Sequence, residues 1–175
     1  MTSTTFEGQN YSAVNYDLDS GLSIQVILSI QKDIVENIRI KINPEKQRAG
    51  FDREWLSYSP ESLIKRYGIP SEVDFIADWG PGPFFEMHMY FEEVDLIVQY
   101  AGNEIIPSQR GAAQVCPQTV QFDSVWLWMG KSPAYPPVDG VPLKKVTSMT
   151  VEEFSKLMTE DPDHTCFLIN GNEFP

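Results

Sequence analysis

Two histidines, His88 and His164, are the only imidazoles in this 175-residue chain, so every Ser-His or Cys-His arrangement must draw its base from one of them. His164 stands two residues before Cys166, a spacing that puts both on one face of a strand. An imidazole there could draw the thiol toward thiolate, and the blander alternative is a buried structural cysteine beside a surface histidine. His88 falls on the polar face of an alternating run, with Glu86 and Tyr90 on the same side. No Gly-x-Ser-x-Gly elbow is present to offer a nucleophile. Carboxylates are the other candidates. Asp78 sits beside Trp79 on a Gly/Pro loop, where a carboxylate pair next to an aromatic face would suit glycosidic or other hydrolytic chemistry. An acid-base site of that kind needs Asp78, Glu86, His88 and Glu93 to converge in one pocket.

Three further motifs dissolve on inspection. Gly130-Lys131-Ser132 has the end of a phosphate-binding loop, but Val125 stands where the first glycine belongs and Pro133 blocks the helix that should follow. Asp17-Leu18-Asp19-Ser20-Gly21 has its glycine one place early for a calcium loop, and Leu28 where the bidentate glutamate belongs. Asn10-Tyr11-Ser12 is a glycosylation triplet of a frequency that carries no weight. Cys116 and Cys166 fit no metal spacing; in an oxidising compartment they can form one bridge, and in a reducing one both are thiols. No cofactor and no metal is expected from these residues.

The positions that suit recognition instead of catalysis are aromatic residues in loops. Trp79, Phe84 and Tyr135 border proline-rich segments that hold little conformational entropy in reserve. The competing expectation is that these rings fold back onto the sheet, since Trp and Tyr are usually well buried. Glu92 and Glu93 belong to a stretch, Glu86 to Asp95, that has four acidic residues and no Lys or Arg. Overall, 13 basic against 25 acidic residues give a formal charge of -12, which disfavours nucleic acid and anionic membranes as partners. No run approaches the roughly 20 apolar residues of a membrane helix.

The elements that must position these groups are legible as periodicities. Leu22, Ile24, Val26, Leu28 and Ile30 alternate with polar residues, and Ile34, Ile38, Ile40 and Ile42 follow in a second run whose alternation breaks once, at Glu36. The two form an antiparallel hairpin. Ser59 caps a short helix with Pro60 at its first position, and Gly68 stops it, Ile69 packing back and Pro70 forbidding continuation. Val73 to Ile76 makes a strand that ends in Asp78-Trp79-Gly80-Pro81-Gly82-Pro83. Phe85 to Phe91 and Val94 to Tyr100 make a second hairpin across Glu92-Glu93, residues 101 to 118 read as loop, and Val120 to Met129 reads as a strand covered on both sides. Lys131 to Pro142 is too rich in proline for regular structure. Thr150 and Glu153 spell a capping box, with Met149 and Phe154 in the staple positions, and Cys166 to Ile169 makes a terminal strand.

The fold class implied is α+β: an antiparallel sheet of six or seven strands with two short helices, near 59 to 67 and 150 to 159, on one face. Residues 1–20, rich in Ser, Thr, Asn and Asp, read as a flexible tail, and 21–175 as a single domain.

The segment Tyr58-Ser59-Pro60-Glu61-Ser62-Leu63-Ile64-Lys65-Arg66-Tyr67-Gly68-Ile69-Pro70-Ser71-Glu72-Val73, followed by the hairpin of residues 84 to 100, resembles uncharacterised bacterial exported or lipid-anchored proteins. Its order of short helix, Gly-x-Pro stop and hairpin is also similar to the repeat of small outer-membrane assembly lipoproteins and of β-lactamase inhibitory protein. That resemblance implies helices on one face of an antiparallel sheet and an extracytoplasmic role in binding proteins. The targeting segment and lipid-accepting cysteine of such proteins do not stand at the start of this sequence. A protein partner engaged through loop aromatics and the acidic face is the function expected, with a small hydrolase near Trp79 as the alternative.

Overall fold

The computed structural model describes residues 2–6, 9–17, 22–31, 34–44, 56–78, 84–102, 106–109, 112–115, 124–130, 140–160 and 166–174. Alternation of apolar and polar residues places the long strands: β3 (Leu22–Gln31), β4 (Ile34–Pro44), β5 (Glu72–Asp78), β6 (Phe84–Phe91) and β7 (Leu96–Gly102). They are joined by β1 (Thr2–Phe6), β2 (Gln9–Asp17), β10 (Ser124–Met129) and the two-residue β11 (Val141–Pro142). The result is a nine-stranded sheet in the order β1-β2-β3-β4-β10-β7-β6-β5-β11, antiparallel at every pair. A separate three-stranded sheet pairs β12 (Phe167–Asn170) with β9 (Ala112–Val115), and β9 with β8 (Ile106–Gln109).

The expected break at Glu36 has a structural counterpart. Ser29 pairs with Asn37 and Ile30 with Val35, so Glu36 is the extra residue of a bulge in the β3–β4 hairpin. Three expectations are corrected. Residues 1–20 contribute β1 and β2 instead of forming only a tail: Thr, Tyr and Val are strand formers, and hydrogen bonding to the β3 edge supplies what their polar composition lacks. Residues 101 to 118 are not all loop, since β8 and β9 lie within them. The sheet is also wider than six or seven strands.

Among the described residues, three α-helices complete the architecture, α1 (Pro60–Tyr67), α2 (Leu143–Thr147) and α3 (Val151–Glu160). In α1 the Ser59 hydroxyl accepts from the Ser62 N–H, Pro60 occupies the first turn and Gly68 ends the helix at φ +90°, donating its N–H to the Ile64 carbonyl. In α3 the Thr150 N–H donates to Glu153 Oε2 at 2.8 Å while the Glu153 N–H donates to Thr150 Oγ1 at 3.2 Å, a reciprocal box as the sequence requires. The helix α2 was not expected. Pro142 precedes it, and Leu143 and Val146, three apart, are both buried.

The core is a single cluster of buried residues drawn from the sheet and the helices. Val73, Phe75, Met87, Met89, Val98, Tyr100 and Val125, with Ile42, are essentially inaccessible. They form one cluster with Leu63, Ile64, Leu143, Val146, Phe154 and Met158. Cross-strand register lines up Ile24, Ile42, Val125, Tyr100, Met87 and Phe75 in a single row on one face of the sheet. Tyr100 is buried with its hydroxyl donating to the Tyr58 carbonyl at 2.8 Å, and burial holds its pKa well above the usual phenol value.

Candidate functional site

The reverse face of the sheet carries the polar residues. One step along each strand, register aligns Gln25, Lys41, Trp126, Gln99, His88 and Asp74 in a second continuous row. Lys41 Nζ lies 4.8 Å from the centre of the Trp126 ring and the Arg39 guanidinium 5.1 Å from that of Trp128, with the two indoles stacked at 5.9 Å. Trp128 Nε1 donates to Gln99 Oε1 at 3.2 Å. The middle of this face is therefore a ladder of cations on aromatic rings, each contact worth about 0.5–2 kcal/mol.

At the β5–β6 end the row closes on a buried cluster. His88, expected on the polar face of its strand, is fully buried, with carboxylates in place of water on the two sides of its ring. His88 Nδ1 is 2.7 Å from Asp74 Oδ1, and Asp74 Oδ2 accepts from the Tyr90 hydroxyl at 2.9 Å and from the Gly140 N–H at 3.4 Å. On the other side of the ring Nε2 stands 3.4 Å from Glu86 Oε2, within ion-pair reach but without an aligned hydrogen bond. Burial, the largest influence on His88, favours the neutral ring; Asp74 and Glu86 together outweigh it and raise the pKa above 6.5. The close approach of Gly140 is obligatory, since a Cβ there would lie 2.4 Å from Asp74 Oδ1 and 2.9 Å from the Phe75 carbonyl oxygen.

Among the described residues this cluster has the parts of an acid-base pair but no serine, threonine or cysteine within its hydrogen bonds, and the imidazole is not exposed. Asp78 lies on the same face as Glu86 and His88, exposed and paired across the strands with Phe84. Glu93 is not brought to them. It occupies the turn at the far end of β6, roughly 16 Å along the strand from Glu86 at about 3.3 Å per residue. Among the described residues no group of three His, Cys, Asp or Glu side chains is disposed to hold a metal ion, and no helix is long and apolar enough to cross a membrane.

A second concave feature, away from this cluster, is open to solvent. At the corner where α1 runs into β5 and β6 turns into β7, a cleft of about 450 Å³ is lined by Tyr67, Gly68, Ile69, Ser71, Phe91, Glu92 and Glu93. Its size falls in the range of ligand-binding clefts. The apolar walls are fixed by packing: the Tyr67 and Phe91 rings meet at 5.8 Å with a 55° tilt, and Phe91 is buried. Ile69 does not pack back onto the helix as expected; it is 56% exposed, because the Gly68 backbone turns the chain outward before Ser71 bonds to the Tyr90 carbonyl at 2.7 Å. Glu92 and Glu93 stand exposed in the 3-10 turn Glu92–Val94, which ends on Asp95 in the left-handed region at φ 50°. Val94, 48% exposed, continues the apolar surface within that turn.

Of the residues singled out for recognition, Glu92 and Glu93 lie in this cleft. Phe84 is half-buried at the start of β6, at the opposite end of the hairpin. Trp79 and Tyr135 lie outside the described residues. Sequence reasoning missed Tyr67 and Ile69, whose only signal was an apolar pair on either side of a helix-stopping glycine. Cys166, just before β12, is disulfide-bonded, and Cys116, the other cysteine of the chain, lies outside the described residues. Comparison with protein-family models, curated proteins and solved structures found no match for this chain.

Proposed function

We propose that this is a non-catalytic binding domain that takes a protein partner in the cleft between the end of α1 and the β6–β7 turn. The observation that carries the reading is the exposure of Ile69 and Tyr67 on the walls of a preformed cleft rimmed by Glu92 and Glu93. Exposed apolar side chains around a concavity mark interaction sites, and aromatic anchors held by neighbouring rings lose little entropy on binding. The helices are read as covering the face of the sheet opposite the His88 row, which leaves this corner and the reverse face for contact; their buried residues sharing one cluster with Val73, Phe75 and Met87 supports that.

An extracytoplasmic setting, as in the exported and lipid-anchored bacterial proteins that the segment 58 to 73 resembles, belongs to the same reading. The disulfide at Cys166 supports it, since bridges persist in oxidising compartments. Cys116 is the other cysteine of the chain, and Val115, its neighbour in the sequence, pairs with Phe167, the neighbour of Cys166.

The test is affinity capture from the native source with the purified domain, run beside an Ile69→Asp variant and a Leu168→Asp control, Leu168 being equally exposed at 58% but on β12. A partner retained by the wild-type and control proteins and lost by Ile69→Asp is the expected result. Identical capture by all three proteins refutes the cleft.

A further inference from the structure

Resting on that reading, we infer that the occupant of the cleft is an arginine- or lysine-bearing segment of the partner, its cationic head between Glu92 and Glu93 and its aliphatic stem on Tyr67 and Phe91. The cleft is chemically two-sided. Phe91 and Tyr67 make a tilted aromatic corner, and Ile69 extends it. Among the described residues, both charged groups at the opposite rim are carboxylates, and no Lys or Arg lines the cleft. Neither Glu92 nor Glu93 forms an ion pair with any described residue, and Asp95 and Glu72, both exposed, add negative charge on either side of the β6–β7 hairpin's end. Lysine 65, by contrast, is held by Glu61 one turn away on α1.

A wholly apolar ligand would leave those carboxylates partly desolvated without compensation, which costs more than the apolar contact gains. An anionic ligand would be repelled. A basic side chain meets both halves at once, since its stem buries against apolar surface while its head stays polar. Arginine fits best: the planar guanidinium pairs with a carboxylate in a fork and stacks on an aromatic face such as Tyr67. The chain's formal charge of -12 adds a long-range field that draws such a segment in and turns anionic competitors away.

The experiment uses the full chain and three peptides, acetyl-Ala-Leu-Arg-Leu-Ala-amide, its citrulline counterpart, which is neutral and nearly isosteric, and its glutamate counterpart, each titrated with backbone amide chemical shifts as the readout. The arginine peptide is expected to shift Gly68, Ile69, Ser71, Glu92 and Glu93 and to bind about tenfold more tightly than the citrulline peptide, as a desolvated charge-assisted pair provides. The preference should shrink with added salt and vanish in a Glu92→Gln/Glu93→Gln double variant. Equal binding of the arginine and citrulline peptides, or shifts centred elsewhere, overturns the inference. If that happens while capture still depends on Ile69, the charge assignment alone has failed; if capture is also indifferent to Ile69, the cleft itself is wrong.

Discussion

Replacing Asp74 by Asn tests the account of the buried His88 cluster most directly. In the wild-type protein the imidazole lies between Asp74, 2.7 Å from Nδ1, and Glu86, 3.4 Å from Nε2, with no water access. Its pKa is raised above 6.5, so the protonated ring is the form that folding favours. Such a group contributes stability that is fully present below pH 6.5 and is lost as pH rises through the higher folded value. Taking the charge from Asp74 leaves burial opposed by Glu86 alone, and the folded pKa should fall below 6.5; the His88 contribution then runs the other way, present above that pH and lost below it. Breaking a buried pair costs about 3–5 kcal/mol while His88 is charged. Once the ring is neutral in both proteins, only hydrogen bonds of about 1 kcal/mol each separate them. Urea unfolding of both proteins between about pH 5.5 and pH 8.5 should therefore show a deficit in Asp74→Asn of about 3 kcal/mol or more at the acid end, narrowing to about 1–2 kcal/mol at the alkaline end. Proton NMR of the His88 ring gives the titration itself. A deficit that stays constant across this window, or a wild-type His88 that titrates below 6.5, refutes the reasoning.

Gly140→Ala would push a methyl to within 2.4 Å of the same carboxylate and 2.9 Å of a backbone oxygen, and should destabilise by about 2–3 kcal/mol, read as a lower urea midpoint. Thr150→Ala removes the acceptor that caps α3 at 3.2 Å and should cost about 1 kcal/mol by the same measurement, an unchanged midpoint counting against the box. Intact mass under non-reducing conditions should be lower by two hydrogens than after reduction, with free thiols absent; two alkylatable thiols in the oxidised protein would contradict the bridge at Cys166.

Elements whose boundaries rest on local chemistry were readable from the sequence. Ser59, Pro60 and Gly68 bracket α1 without reference to anything distant, and the Thr150–Glu153 box does the same for the start of α3. Even the bulge at Glu36 appeared as a single fault in alternation. What failed was whatever depends on a neighbouring strand. The polar segment before residue 20 becomes β1 and β2 because the β3 edge pairs with it, and β8 and β9 exist because β12 returns from the far end of the chain. His88 shows the same limit at the scale of one side chain: its place in a Glu-x-His-x-Tyr alternation reads as solvated, and only Asp74, fourteen residues earlier on another strand, makes its burial affordable. For the cleft, Glu92 and Glu93 could be named from charge, whereas Tyr67 and Ile69 join them only because the hairpin folds its turn back beside the end of α1.

Gly68 ties two properties to one backbone conformation. Its φ of +90° both ends α1 and makes the floor of the opening beside it, so the helix cannot be prolonged by even one turn without filling the space a visitor would occupy. Any side chain at this position would have to be tolerated in a dihedral region that suits glycine, although open space surrounds it. The end of the helix and the outline of the opening thus meet at this one backbone conformation.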